Sequence, residues 1–161
     1  MSNMMKTAFL RRVNTSWKMR LFLFWKLPGA WFMGVRLRHC DGQRAEALLP
    51  YNWFSQNPFR STYFAAQCAA GEFSTGILVL YAITGEAPVS MLVTRMEAQF
   101  FKKVSQTLVF TCEEGENIQK AVQSTLSTGE GVEITTCGVG TLPDGTVATK
   151  IWVTWSLRRK G

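Results

Sequence analysis

The sequence predicts an α+β protein in which an antiparallel sheet of about six strands wraps one long helix. Three observations lead to this prediction. An unbroken run of mostly small and apolar residues extends from residue 57 to residue 85, Asp41-Gly42 separates two short extended segments, and Pro143-Asp144-Gly145 separates two longer ones. One long helix among hairpins is typical of α+β proteins. With 161 residues and no internal repeat, the chain is expected to form a single domain spanning residues 1–161.

The long run is predicted to be the central helix. Asn57 and Pro58 suit its N-cap and first position, because Asn accepts hydrogen bonds from free backbone N–H groups and proline has no N–H group to satisfy. A helix from there to Gly85 would have about seven turns. Its side chains are mostly small, which lets other backbone approach closely. Within it, Gly71 and Gly76 imply either close packing or an end to the helix.

Extended segments precede and follow this helix. Two are predicted before it and four after it, from apolar alternation and flanking turn residues. Their approximate ranges are 35–40, 44–50, 89–104, 106–112, 131–142 and 146–157. Between the fourth and the fifth, residues 113–128 have the apolar spacing of a surface helix, with acids at its start and Gly129 just past its end.

Residues 1–30 are predicted to form a basic helical extension that Pro28-Gly29 ends. The apolar run Leu21–Trp25 within it is too short for a signal peptide or a membrane span. We therefore expect a cytoplasmic protein with no membrane span. Two roles remain open for the extension. Its aromatic residues pack on the rest of the fold or on a second subunit, or they contact lipid at an interface or along an acyl tunnel.

The formal net charge of +7 is compatible with nucleic acid, a membrane surface or an anionic small molecule as partner. The sequence has no RNA-binding signature, helix-turn-helix spacing or Cys/His finger, so we expect no nucleic acid partner. The four cysteines lack Cys-x-x-Cys spacing, which favours free thiols over a zinc or redox site. His39 and Cys40 are adjacent in an extended segment, so their side chains point to opposite faces and form no nucleophile pair.

One carboxylate, Glu72, interrupts the small and apolar residues of the central run. A charge in such a place must be solvated, paired or functional. Glu72 therefore lies on the wet side of a half-buried helix or takes part in chemistry, and composition alone favours the first reading.

The residues around Glu72 resemble a known superfamily. Asn57 at the head of the run, small residues after it and an acid fifteen positions later are similar to hot-dog acyl-CoA thioesterases of the phenylacetate-pathway type. Asn57-Pro58-Phe59, Ser61, Tyr63-Phe64-Ala65-Ala66 and Ser74-Thr75-Gly76 most resemble a branch catalogued as a domain of unknown function. The resemblance spans residues 34–157. It implies a hot-dog fold and assembly into a homodimer or homotetramer.

The resemblance also implies a site. Glu72 would act as general base or nucleophile toward a thioester carbonyl, Asn57 would orient water or substrate, and backbone N–H groups at the helix start would polarise the carbonyl. This chemistry requires burial to raise the pKa of Glu72, and it needs no metal and no cofactor. These thioesterases commonly carry His-Gly-Gly where this sequence has Tyr63-Phe64-Ala65, and Arg60 occupies the place of an earlier Gly. Tyr63 would then supply a hydroxyl where the family uses His.

Two functions from different classes follow. The first is an acyl-CoA or acyl-carrier thioesterase with Glu72 and Asn57 as catalytic residues. The residues expected to contact its substrate are Ser61, Tyr63, Phe64, Lys102 and Lys103. The two lysines would pair with CoA phosphates, although a solvated basic surface explains them equally well. The second function is non-catalytic binding of acyl-CoA or a fatty acid between helix and sheet, which the missing His-Gly-Gly and the aromatic extension favour.

Overall fold

A computed structural model describes residues 2–161, and Met1, the first residue of the predicted extension, lies outside the described residues. The described chain contains five helices and six strands. The helices are α1 (Ser2–Val13), α2 (Ser16–Lys26), α3 (Pro28–Phe32), α4 (Phe64–Ile83) and α5 (Gly115–Thr128). The strands are β1 (Arg36–Cys40), β2 (Ala45–Leu49), β3 (Val89–Phe100), β4 (Leu108–Cys112), β5 (Val132–Thr141) and β6 (Val147–Arg159).

The six strands form one antiparallel sheet in the order β1-β2-β4-β5-β6-β3. β1 and β2 form the predicted hairpin around Asp41-Gly42, and β5 and β6 form the hairpin around Pro143-Asp144-Gly145. β3 pairs with β6 along its length, so β3 and β1 are the two edges. The predicted α+β architecture of six antiparallel strands and one long helix is confirmed.

The central helix α4 crosses the sheet, and glycines let it come close. A Cβ atom on Gly71 would lie 2.6 Å from Cγ1 of Ile151 on β6, and one on Gly138 of β5 would lie 2.8 Å from the Ser74 hydroxyl oxygen. Close packing, and not a helix end, therefore explains why a glycine stands in the middle of the helix. The largest fully buried side chains, on α4 and elsewhere in the core, include Phe110, Leu23, Leu49, Ile77, Leu78 and Leu108.

The prediction that Asn57 and Pro58 begin the central helix is wrong. α4 begins at Phe64 and has 20 residues, because the residues in between form a turn. Within that turn the Asn57 Oδ1 atom accepts hydrogen bonds from the N–H groups of Phe59 and Ser61, at 3.0 and 3.2 Å. An Asn side chain can accept hydrogen bonds from backbone N–H groups in a turn as well as at a helix N-cap, and the Asn57 side chain does so in the turn.

The predicted basic extension is helical, as α1 and α2. α2 ends at Lys26, Leu27 leaves the helical conformation, and Pro28 occupies the first position of α3, so Pro28 begins a helix as well as following one. Met19 and Leu23 on the inner face of α2 are buried in the core. The extension is therefore packed on the rest of the fold through this face.

α5 forms where a surface helix is predicted. Its inner face buries Ile118, Ala121 and Val122 among α4, β5 and β6. Gly129 follows its last residue with a φ of 78°, a left-handed conformation that ends helices and favours glycine.

One described helix, α4, is long and apolar enough to cross a membrane. Its most apolar 18-residue window is 67% buried inside the fold. Such burial is typical of the core helix of a globular protein, and a core helix can have the same length and apolar composition as a membrane span.

Candidate active site

A turn holds the start of α4 against the segment that follows β3. The Ser61 hydroxyl donates a hydrogen bond to Asn57 Oδ1 at 3.1 Å, which closes the turn. The N–H group of Thr62 donates to the carbonyl oxygen of Val104 at 2.7 Å, which fixes the turn beside that segment. Arg60 adopts a φ of 55° there, the left-handed region that favours glycine. Glycine is the residue that the resemblance leads us to expect at this position.

An open pocket of about 360 Å³ lies between this turn, the start of α4 and the segment after β3. Five of the seven predicted site residues line it: Asn57, Ser61, Phe64, Lys102 and Lys103. The sequence does not predict the other five lining residues, which are Thr62, Gln67, Phe100, Phe101 and Val104. The sequence carries a signal for one of them, because Gln67 is a large polar residue within a run of small and apolar ones.

The start of α4 has free hydrogen-bonding groups beside this pocket, which Thr62 and Phe64 line and Ala65 does not. Within the described residues, the backbone N–H groups of Phe64 and Ala65 make no hydrogen bond, and no side chain caps the helix. The Thr62 hydroxyl also has no partner, although its residue is only 4% exposed. A buried hydroxyl without a partner costs about 1–3 kcal/mol. These donors and the helix dipole suit an oxygen that carries or develops negative charge.

Gln67 ties the start of α4 to the sheet. Its Nε2 donates to the carbonyl oxygen of Thr62 at 3.2 Å, and its Oε1 accepts from the hydroxyl of Thr149 on β6. All three residues are buried. The side chain of Gln67 therefore supports the floor of the pocket from the sheet side.

Glu72 lies about two turns further along α4 and is half-buried. Burial raises the pKa of its carboxyl group, and no ion pair or hydrogen bond with a described residue lowers it. The carboxylate lies over Gly76, beside the buried ring of Trp155 on β6. That ring is held in place because its N–H group donates to the Thr75 hydroxyl at 3.1 Å. A carboxylate with unpaired oxygens and a raised pKa is suited to take a proton from water.

A single chain does not bring Glu72 and Asn57 together. Glu72 does not line the pocket, and it lies about 12 Å from the start of α4 along the helix axis at 1.5 Å per residue. Tyr63 is exposed, with its ring centroid 4.9 Å from that of Phe64, and it does not line the pocket either. Each chain thus has two separate candidate half-sites, the carboxylate of Glu72 and the pocket of donors at the start of α4.

Comparison with known families gives one match. The model of a family described as a domain of unknown function (DUF4442) matches residues 15–138. This range includes the two half-sites and most of the strands. No curated protein sequence matches the chain.

Solved structures share the fold at low sequence identity. Protein PA5026 from Pseudomonas aeruginosa, described as a probable thioesterase, has 16% identity and a TM-score of 0.72 over 89% of this chain and 95% of its own. Thioesterase HI1161 from Haemophilus influenzae has 11% identity and a TM-score of 0.66 over 90% and 91%. A protein of unknown function from Chlorobaculum tepidum has 17% identity and a TM-score of 0.75 over 95% and 99%. The expected hot-dog fold is confirmed.

Proposed function

Because the chain belongs to the DUF4442 family and has the thioesterase-like hot-dog fold, we propose that it hydrolyses acyl thioesters of coenzyme A or of an acyl carrier. This proposal rests on one observation about Glu72 on the central helix. Its carboxylate is half-buried and unpaired, and burial raises its pKa. A carboxylate whose only role was to face solvent would be hydrated. The carboxylate of Glu72 is instead partly desolvated against the indole ring of Trp155.

In the proposed reaction Glu72 acts as a general base. Its carboxylate takes a proton from a water molecule whose oxygen attacks the thioester carbonyl carbon. The negative charge that develops on the carbonyl oxygen is stabilised by the free N–H groups of Phe64 and Ala65. The carbon–sulfur bond then breaks, and the proton on Glu72 passes to the leaving thiolate. The products are a carboxylic acid and a thiol.

We propose that a second copy of the chain completes the site. β3 is a 12-residue edge strand, and on its inner face Met96 is 41% exposed and Phe100 45% exposed. Met96 pairs with the buried Val153, so its side chain is on the same face of the sheet as α4. Two β3 strands pairing edge to edge would cover these side chains. The start of one copy's α4 would then approach Glu72 of the other.

The open pocket would receive the end of the substrate that carries the thiol. Lys102 and Lys103 are exposed at its rim and would pair with the phosphates of coenzyme A. Ser61 and the side-chain N–H groups of Asn57 would contribute neutral hydrogen bonds at the turn. Phe100 and Phe101 give the pocket an apolar wall.

We also propose a cytoplasmic location. All four cysteines are free, as expected in a reducing compartment. Burial raises the pKa of the Cys40 thiol to about 11 and that of the Cys112 thiol to about 12. These two thiols would therefore remain protonated and unreactive.

The test is hydrolysis of acyl-CoA thioesters of short, long and aryl acyl groups by wild type and by Glu72→Gln, with binding of the same compounds followed in parallel. Removal of the charge at constant size should abolish turnover and leave binding intact. The exposed carboxylate of Glu130 provides the matched control, Glu130→Gln, which should keep full activity. Turnover that persists in Glu72→Gln would refute the assignment of the base.

A second function, non-catalytic binding of an acyl chain, is favoured by one cavity. An apolar cavity of about 210 Å³ lies between α1, α2 and α4, and the residues lining it include Phe9, Met19, Phe22, Ile77 and Leu80. In addition, the large exposed side chain of Phe64 stands at the helix start, where the resembling thioesterases have glycine. Tight binding of acyl-CoA or a fatty acid by wild type, with no turnover of any thioester, would establish this function.

A further inference from the structure

α2 has two apolar faces, and only one of them is buried. Met19 and Leu23 point into the core. The opposite face consists of four residues at the spacing i, i+4, i+7 and i+8, which places them in one stripe along a helix. These residues are Trp17, Leu21, Phe24 and Trp25, with exposures of 65%, 51%, 41% and 71%. Core packing does not require this second stripe.

The exposed stripe continues across the surface through aromatic contacts. The ring centroid of Phe24 lies 5.2 Å from that of Trp31, and the ring centroid of Trp31 lies 5.1 Å from that of Phe32. The ring centroid of Phe32 in turn lies 6.0 Å from that of Phe54, a residue that follows β2. The ring centroids of Phe54 and Trp53 are 5.0 Å apart. We call the stripe and these rings together the aromatic surface. A contiguous exposed apolar patch of this kind marks an interaction site.

The part of the chain that contributes most of the aromatic surface is strongly basic. Eight of the 18 Lys and Arg residues lie in residues 1–40, and none of the 11 Asp and Glu residues does. The remaining chain therefore has ten cations and eleven acids, and the net charge of +7 originates in residues 1–40. At 3.6 residues per turn, Lys18 and Arg20 fall on the two sides of the exposed stripe of α2.

We propose that the aromatic surface docks on the surface of a bilayer of anionic phospholipid. Tryptophan and other aromatic side chains insert at the level of lipid headgroups, and flanking cations pair with anionic lipid. Charge complementarity distinguishes this occupant from a second copy of the chain. Two copies meeting face to face through this surface would bring like charges together, which opposes association.

Docking by this surface would orient the protein. Trp53 and Phe54 lie in the loop that leads to the turn at Asn57, so the pocket would lie close to the bilayer. The inference does not depend on hydrolysis of a thioester, because the residues that carry it are different from those of the two half-sites. Vesicle binding and turnover can therefore fail separately.

The test is sedimentation of the full chain with vesicles of phosphatidylglycerol and phosphatidylcholine, compared with vesicles of phosphatidylcholine alone. The wild type should bind the anionic vesicles, and high salt should weaken binding. The double variant Lys18→Gln, Arg20→Gln should bind about 30-fold more weakly, since each cation near an anionic surface contributes about fivefold in affinity. Arg158→Gln with Lys160→Gln, which removes two exposed cations elsewhere, should bind as the wild type does.

A second pair of variants tests the apolar contribution. Trp17→Ser with Trp25→Ser should reduce vesicle binding by at least the same factor, whereas Leu92→Ser, which removes a 65% exposed side chain on β3, should not. Absence of binding to anionic vesicles would overturn the proposal, as would equal losses in the control variants. Loss of a dimer in Trp17→Ser with Trp25→Ser, without any vesicle binding by wild type, would instead assign the surface to a second copy.

Discussion

The Oε1 atom of Glu72 lies 3.1 Å from the point that a Cβ atom on Gly76 would occupy. The ring of Trp155 lies 3.2 Å from the same point. Glycine at this position costs the helix about 1 kcal/mol relative to alanine. Because Gly76 has no side chain, the Glu72 carboxylate and the indole ring of Trp155 can lie close together on one side of α4. The carboxylate is therefore desolvated without being paired.

A methyl group at residue 71 should destabilise the fold. Gly71→Ala would place Cβ 2.6 Å from Ile151 Cγ1, and such overpacking costs about 1–3 kcal/mol. We expect a lower urea midpoint for this variant, although alanine is the better helix former. Gly131, which has open space around it, is the control. Gly131→Ala should change stability by less than about 0.5 kcal/mol, and similar losses in both variants would contradict the packing argument.

The stability of the protein should depend on pH through Glu72. Burial raises the pKa of this carboxyl group in the native state, so the native state binds its proton more tightly than the unfolded chain does. The stabilisation is complete below the ordinary carboxyl pKa and is lost as pH rises through the raised pKa. Urea unfolding of Glu72→Gln should therefore show higher stability than wild type at neutral pH and equal stability in acid.

The exposed carboxylate of Glu130 again serves as the control for this pH dependence. Glu130→Gln should follow the wild type across the whole pH range. A Glu72→Gln variant that is less stable than wild type at neutral pH would show that the ionised carboxylate is stabilised by a partner.

The buried pair of Gln67 and Thr149 should show coupling in a double-mutant cycle. Gln67→Leu leaves the Thr149 hydroxyl without an acceptor, and Thr149→Val leaves the amide oxygen without a donor. Each single change should cost about 1–3 kcal/mol, and the double variant should cost less than their sum by about 1 kcal/mol. Additive losses in urea unfolding would mean that the two groups do not depend on each other.

A charge on the inner face of β3 should prevent association of two copies. Met96→Asp places a carboxylate on the face that the proposed pairing would bury, whereas Leu92→Asp places one on the opposite face. Sedimentation should give a monomer mass for the first variant and a dimer mass for wild type and for the second. A monomeric wild type would contradict the proposed completion of the site by a second copy.

Hairpins and α5 could be predicted from the sequence because their signals are local. Asp41-Gly42 and Gly129 fix turns and ends whatever the rest of the chain does. The start of α4 could not be predicted in the same way. Asn57 suits a helix cap and a turn equally, and the hydrogen bond between Thr62 and Val104, which lies far along the chain, holds the turn.

The pocket could be predicted only in part for a similar reason. The resemblance indicates Asn57, Ser61 and Phe64, and their positive charge indicates Lys102 and Lys103. Thr62 and Phe101 carry no sequence signal, because only the closure of the sheet brings the segment after β3 beside the helix start. The separation of Glu72 from that pocket is likewise a property of helix geometry.

The two edges of the sheet differ in how they are protected. β1 has five residues, a register shift between Leu37 and His39, and a cation at Arg36. At its end the side chain of Asn14 donates to the carbonyl oxygen of Cys40 at 2.7 Å and accepts from its N–H group at 2.9 Å, as a neighbouring strand would. Short, bulged and charged edges resist strand addition. Strands can therefore be added to the sheet at the β3 edge only, so the proposed pairing through β3 would end with two copies and would not continue into a fibre.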